Sequence, residues 1–421
     1  MSEPFHESRM SGPRDLDPGP THVAPPGWSR LFEHDAHRVL AALEAELDDG
    51  RSSLQLGARL RSEGMPGDVV AALLGQLDLR RKARVKFGDA ANGMLFTQAG
   101  LEQASRAAVA RLHAERFARA GCNTVADLGC GIGSEALALM AAGVSVLAVE
   151  IDPFTARIAA HNLANAAGDA AARVMNADAT TVPLDGLDGV FLDPARRTAG
   201  HRDTSRLSNP DDYSPSLQFA FDLAGQLPAG VKLGPGFDRD LIPDDAEAQW
   251  VSVDGQAVEM GLWFGRVRRN GVSRAALVIR AGSSHELTAA ADAPDAATRT
   301  LGTYLYEPDS AVIRARLIGQ LADRIGAGMV SEGIAYLTSD HLAQSPFARA
   351  FRITDQLPVS EKHLKRALAE RGIGRLEIKK RGVDVDPAAL RTRLSLKGQN
   401  AATLILTRAG GRHVALLAER V

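Results

Sequence analysis

A chain of 421 residues that is 45% hydrophobic and 24% charged can bury a sizeable core and should divide into about two or three domains. Its longest apolar runs, such as 136–142, fall far short of the ~20 residues of a membrane-spanning helix. The N-terminus has no basic segment followed by an apolar stretch, and the only cysteines, Cys122 and Cys130, exclude a disulfide framework, so the cytoplasm is the expected location and no membrane partner is expected.

In chain order, residues 1–27 are rich in Pro, Gly, His and Asp and are expected to form a flexible tail. Residues 28–85 carry Leu40, Leu43 and Leu47, then Leu54, Leu56 and Leu60, then Val69, Val70, Leu73, Leu74 and Leu77 at helical spacing, which predicts a small helical domain. Leading helices follow, with Leu101, Ala104, Ala108, Leu112 and Phe117 expected on one buried face. From 123 the pattern alternates: strands are expected at 124–128, 145–150, 172–176 and 187–192, helices at 135–142 and 154–167. Later strands are expected at 230–233 and 249–253, with a hairpin pairing 260–267 with 275–280 about Asn270-Gly271. This α/β alternation argues for a mostly parallel sheet covered on both faces, within a domain spanning 86–282. Residues 283–301 read as a linker. Residues 302–421 read as a separate α+β domain, with helices at 311–325 and 361–371 and strands at 375–379, 402–407 and 413–417.

The net charge of −2 conceals an asymmetry. From Ser360 onward there are 14 Lys and Arg against 6 Asp and Glu, a local balance of +8. Such an excess suits a polyanionic partner, although a solvated basic face with no ligand would have the same composition.

The strand ending at Asp127 runs into Leu-Gly129-Cys130-Gly131-Ile-Gly133, and a helix begins directly after, so the glycines occupy a strand-to-helix turn. Glycine suits a backbone with positive φ or one that a ligand must approach closely. The spacing is GxGxG after a carboxylate, whereas a dinucleotide fingerprint is G-x-G-x-x-G with a helix N-terminus facing pyrophosphate. A carboxylate is a poor neighbour for pyrophosphate and a reasonable one for the ammonium of S-adenosylmethionine. Glu150 ends the second strand, where it could accept from ribose hydroxyls, and Asp178, after the third, could accept from an adenine amino group. Ile151 and Ala179 adjoin them as further cofactor-binding candidates. Singly, Glu150 and Asp178 could equally be loop acids or helix caps.

Asp127 to Gly133, Glu150 and Asp178 together resemble motifs I, II and III of class I methyltransferases. The fourth strand delivers Asp193-Pro194-Ala195-Arg196-Arg197, which resembles the D/N-P-P-Y/F motif of amino methyltransferases. That resemblance implies that Asp193 and Pro194 orient the acceptor. Ala195 and Arg196 stand where the second proline and the base-stacking aromatic would be. Arg196 or Arg197 could hold a phosphate or carboxylate, stack through its guanidinium plane, or pair with an acid such as Asp203. Cys130 lies inside the glycine turn and Cys122 precedes its strand, so neither is placed for attack at carbon 5 of a pyrimidine.

With Lys232-Leu-Gly-Pro-Gly236, Tyr306-Glu-Pro-Asp309 and Leu376-Glu-Ile-Lys-Lys-Arg-Gly382, the chain resembles bacterial class I methyltransferases that carry a THUMP-like domain after the catalytic core. The resemblance implies a Rossmann-like, mostly parallel seven-stranded core, an N-terminal helical domain, a C-terminal α+β THUMP-like domain and S-adenosylmethionine as cofactor, with no metal. THUMP domains are associated with structured RNA. The resemblance therefore implies methylation of a base nitrogen of tRNA or rRNA, with Lys379, Lys380, Arg381, Arg391, Arg393 and Lys397 contacting phosphates. A methyltransferase acting on a protein or small molecule, and a non-catalytic cofactor-binding RNA protein, are the alternatives. Two flanking segments, 96–103 and 232–236, could complete the pocket, or be helix packing and a simple turn.

Overall fold

The computed structural model describes residues 24–33, 35–166, 170–196 and 213–421, with the backbone alone at Arg196. Most of the expected tail, and both Arg197 and Asp203, lie outside these residues.

Five helices open the described chain: α1 (Ala36–Asp48), α2 (Ser53–Ser62), α3 (Gly67–Phe87), α4 (Gln98–Gln103) and α5 (Ala107–Arg119). Ser52 and Gln55 form a reciprocal capping box that starts α2. Leu40, Leu43, Leu56, Leu60, Leu73 and Leu77 form a shared core, and Phe154, Ile158 and Ile132 of the following region join it. The helical layer is thus built onto the next domain.

The central region runs β1 (Thr124–Leu128), α6 (Ser134–Ala141), β2 (Ser145–Glu150), α7 (Pro153–Ala164), β3 (Ala172–Asn176), β4 (Gly189–Leu192), β5 (Ala195–Arg196), β6 (Tyr213–Ser214), α8 (Leu217–Ala224), β7 (Ala229–Leu233), β8 (Glu247–Val253), β9 (Gln256–Phe264), β10 (Arg274–Arg280) and β11 (Ser283–Ala289). Nine of these strands make one sheet, in the order β11-β10-β8-β9-β7-β4-β1-β2-β3. Strands β3, β2, β1, β4 and β7 are parallel, and β9 is antiparallel to both its neighbours. The seven strands from β3 to β8 form the Rossmann-like core, and β10 and β11 extend it.

Two expectations fail here. The hairpin about Asn270-Gly271 does not form, because β8 lies between β9 and β10. The two-residue hairpins instead turn at Asp254-Gly255 and Ala281-Gly282, where both residues have positive φ, as a type I′ turn requires. Nor is 283–301 a free linker. Ser283–Ala289 is the ninth strand, and Asp292 pairs with both Arg239 and Arg274. Leu287 is its one buried apolar residue, with the small Ala289 packed partly against the same core, too little alternation to announce a strand.

The remainder comprises β12 (Tyr304–Pro308), α9 (Ser310–Arg314), α10 (Ile318–Ile325), β13 (Gly328–Met329), β14 (Leu337–Ser339), β15 (Ala348–Leu357), α11 (Glu361–Glu370), β16 (Ile373–Lys380), α12 (Pro387–Leu394), β17 (Asn400–Ala409) and β18 (Arg412–Arg420). Its seven strands pair in the order β13-β14-β12-β15-β18-β17-β16. The single helix expected at 311–325 is two, broken where Arg316 takes φ 59°. Leu364, Leu368, Leu390 and Leu394 of α11 and α12 cover one face of this sheet. Val312 and Leu321, from α9 and α10, share a core with Trp250 and Leu262 of the first sheet, so the two sheets are joined by continuous apolar packing.

Arg116 of α5 and Arg269 both pair with Glu247, whose side chain is fully buried at the start of β8. Removing one partner of a buried network strands the others. Glu247→Ala should lower unfolding free energy by about 3–5 kcal/mol, measured by urea denaturation.

Candidate active site

The parallel strands deliver their C-terminal ends to one edge, the edge where ligands of open α/β sheets bind. At the end of β1 the turn takes left-handed backbone at Gly129 (φ 87°), Gly131 (φ 54°) and Gly133 (φ 86°), conformations that a Cβ would strain. Its geometry is pinned from two sides. The Gly129 and Cys130 N–H groups donate to the Val149 carbonyl at the end of β2. Buried Asn162 of α7 accepts from Leu95 N–H at 2.7 Å and donates to the carbonyls of Leu95 (3.1 Å) and Ile132 (2.9 Å). A Cβ on Gly100 of α4 would lie 2.4 Å from the Ile132 side chain, so 96–103 packs directly against the turn.

Asp127 is buried, and neither of its carboxylate oxygens has a hydrogen-bond partner of standard geometry among the described residues. Burial, reinforced by the nearby Glu135 and Asp193, pushes its pKa well above the usual carboxylate range. Glu150 accepts from Gly131 N–H at 3.0 Å and from Asp152 N–H at 2.9 Å, one bond per oxygen, which leaves each oxygen a further lone pair. Burial raises its pKa against these bonds. Ile151 is an exposed large hydrophobic residue. Asp178 accepts from Thr180 N–H and hydroxyl at 2.8 and 2.7 Å, and Ala179 is half-buried beside it. Burial drives the Cys130 thiol pKa well up, so this cysteine offers no thiolate.

Asp193 follows β4 and lies opposite the turn: a Cβ on Gly129 would stand 3.7 Å from the Asp193 carbonyl oxygen. Its Oδ2 pairs with Lys232 Nζ of β7 at 2.5 Å, and Lys232 also contacts Ser105 Oγ at 3.2 Å. Burial raises the Asp193 pKa and Lys232 opposes that shift. Lys232 is held firmly protonated, because Asp193, Glu259 and Glu135 outweigh its burial. Pro194 is buried next to Asp193.

Beneath this pair lies a cluster that the sequence pattern did not reveal. His113 of α5 is buried, with Nδ1 3.2 Å from Glu135 Oε2 of α6 and Nε2 2.8 Å from Glu259 Oε1 of β9. Its ring stacks on Phe191 at 5.4 Å. Burial opposes its charge, but the two carboxylates prevail and raise its pKa to about 10. His113 occupies the apolar face of α5, alongside Val109, Ala110, Ala114 and Phe117. The face expected through Ala108 is therefore rotated, because a histidine paired on both nitrogens is a core residue that hydrophobicity alone does not count. A histidine four residues before Phe117 was the available signal.

The basic residues expected on the C-terminal surface are divided. Lys380, Arg391, Arg393 and Lys397 are exposed, though Arg393 pairs with Glu361 and Arg391 donates to the Leu376 carbonyl. Lys379 is instead largely buried against Glu307 at 2.9 Å, and the Arg381 guanidinium lies 5.2 Å from the Tyr336 ring centre. These last two do not face outward with the others, because side chains alternate along a strand and positions 379 and 381 share the face opposite Lys380.

An uncharacterised S-adenosylmethionine-dependent methyltransferase of Mycobacterium tuberculosis, matched alike in two strains, is 33% identical over 353 residues, covering 82% of this chain and 94% of the relative. The chain belongs to the S-adenosylmethionine-dependent methyltransferases. Within this methyltransferase, residues 348–420 match the family described as THUMP domain-like, and residues 27–83 match a family described as domain of unknown function DUF8688. The crystal structure of a protein from Porphyromonas gingivalis W83, named for a methyltransferase, shares the fold with a TM-score of 0.73 at 21% identity, covering 92% of this chain and 99% of its own.

S-adenosylmethionine is the cofactor, and the residues at the sheet edge fit it. The unpartnered Asp127 oxygens suit an ammonium, the spare lone pairs of Glu150 suit ribose hydroxyls, and the exposed Ile151 suits an aromatic face. Removing Glu150 should weaken cofactor binding about 10- to 100-fold, read by calorimetry on Glu150→Ala. The His113 proton makes a second prediction. Its folded pKa of about 10 exceeds the unfolded 6.5, so the contribution is complete below pH 6.5 and is lost as pH rises through 10. Urea stability should therefore fall between pH 6.5 and 10 by roughly 1 kcal/mol per unit, and this slope should vanish in His113→Asn.

Proposed function

We propose that this methyltransferase modifies a base nitrogen of structured RNA, either tRNA or rRNA. The observation that carries this reading is a THUMP domain-like segment at 348–420 joined by continuous core packing to the catalytic sheet. The domain it resembles is associated with structured RNA, and the end of the chain carries a local charge of +8.

In this reading Asp127, Gly129, Cys130, Gly131 and Gly133 cradle the amino-acid end of the cofactor. Glu150 and Ile151 hold the ribose and adenine, and Asp178 and Ala179 receive the adenine edge. The sulfonium of S-adenosylmethionine supplies an activated methyl group. Asp193 orients the acceptor: Lys232 pairs with Oδ2, and in this reading Oδ1 accepts an acceptor N–H. Burial raises the Asp193 pKa and the Lys232 cation opposes that rise, so the ion pair favours the carboxylate that aligns the acceptor nitrogen with the methyl group. Pro194 fixes the backbone after β4, and Arg196 offers a guanidinium to stack on the base or hold a phosphate.

One observation favours a second reading, in which the acceptor is a protein or small molecule. Ala195 stands where the second proline of the amino-methyltransferase motif would be, and Arg196 where the aromatic would be, so the usual stacking partner of a flipped base, worth ~1–3 kcal/mol, is missing.

Incubating total RNA and lysate protein with methyl-labelled cofactor separates the two, with label expected in the RNA fraction. Asp193→Ala should bind cofactor nearly as the wild type while transfer falls by about 10²-fold or more. Unchanged transfer in that variant would remove Asp193 from the mechanism.

A further inference from the structure

The two sheets meet at a pocket of about 160 Å³, below the roughly 300–1,000 Å³ of sites for whole small molecules. Four cations line it, Arg280 from the end of β10, Arg349 from β15, Lys379 from β16, and Arg381 just beyond it. The acids lining it are Glu307 and Asp309, which pair with Lys379 and Arg280 respectively. The charges therefore do not cancel. Arg349 and Arg381 have no carboxylate partner among the described residues. The Arg280 Nε is buried without a hydrogen-bond partner, a donor that the protein itself leaves unsatisfied.

The wall on the catalytic side is the Asp254-Gly255 turn. Arg349 donates to the Asp254 carbonyl at 3.1 Å, and a Cβ on Gly255 would sit 2.8 Å from the same guanidinium, so a side chain there would displace it. Strands β8 and β10 run in the direction of β4 and β7, because β9 is antiparallel to both β7 and β8. The turn after β8 and the end of β10 therefore lie on the same sheet edge as Asp193. Between β4 and β10 lie three strands, so the pocket is three to four strand spacings away, roughly 15–20 Å at about 4.8 Å per strand. A cationic pocket on the reactive edge, built half from each module, needs an anionic group small enough to enter and attached to something that also reaches Asp193.

We propose that this pocket binds one backbone phosphate of the RNA substrate and so sets the distance between the strand it grips and the base presented to Asp193. The proposal rests on the RNA reading above. Arginine forks match the oxygens of a phosphate in a way that lysine does not, and two guanidinium groups without a carboxylate partner among the described residues converge here. Lys379 and Arg381 then serve the substrate from inside the seam and not from the outer face of the C-terminal sheet.

The test uses the full chain with total tRNA and with inorganic phosphate as probes. Arg349→Gln and Arg381→Gln should each weaken RNA binding about 5- to 10-fold and reduce the salt slope by about one, with cofactor affinity unchanged. Arg349→Lys should recover part of the loss, which separates a charge effect from misfolding. Inorganic phosphate should compete with RNA for the wild type and not for Arg349→Gln. If the wild type binds RNA and both glutamine variants bind it equally well, the pocket assignment is overturned while the RNA reading stands. If the wild type binds inorganic phosphate through Arg349 yet binds no RNA, the pocket takes a free anion, and both the RNA reading and the proposal built on it are overturned.

Discussion

Four carboxyl groups lie buried or half-buried near the edge of the sheet that carries the glycine turn: Asp127, Glu135, Asp193 and Glu259. Gathering that much acid in a low-dielectric interior is tolerable only with cations at fixed positions, and His113 and Lys232 provide them. The requirement reaches far into the architecture. It fixes α5 against α6 through His113, draws β9 beside β7 through Glu259, and sets Lys232 one residue from the end of its strand. Because Lys232 faces Asp193, the same balance determines the ionisation of the group that opens the loop after β4. Burial shifts Asp127 toward its neutral form, which lowers the acid load, and a cationic guest at that position would oppose the shift.

The sheet order turns this local chemistry into a surface. A parallel core gathers the ends of β1, β2, β4 and β7, and the antiparallel β9 lets β8 and β10 run the same way. Every loop that follows these strands opens on one side. The THUMP-like module abuts that side through Arg349 and the turn at Asp254-Gly255, and shares a hydrophobic core with the sheet through Val312 and Leu321. The two modules thus share apolar packing and a hydrogen bond across their junction.

Much of this was legible in the residues, and the failures have physical causes. The glycine turn, Glu150 and the strand ending at Leu192 stood out because a turn of fixed chemistry follows each apolar strand. The order of β8 and β10 did not, because Asn270-Gly271 and Asp254-Gly255 are equally good turn signals and only long-range pairing decides between them. Strand β11 carries only Leu287 and the small Ala289 as apolar residues, too weak a pattern to mark a strand. His113 was invisible as chemistry: nothing in α5 says that Glu135 and Glu259, 22 and 146 positions later, will close on its two nitrogens. Charge counting found the basic end of the chain but not its geometry, since Lys379 and Arg381 sit next to Lys380 in sequence and turn inward to the seam. The Ala195-Arg196 departure was read directly from the sequence and bears on which acceptor stacks there.

Asn162 joins two layers with one side chain, holding Leu95 of the helical layer and Ile132 of the glycine turn at once. A ligand that stabilises the turn therefore stabilises the clamp and, through Leu95 and Phe96, the core of the helical layer. Binding free energy spent at the sheet edge is shared by residues that never touch the ligand. By linkage, any opening of the helical layer would cost more with the cofactor bound than without it.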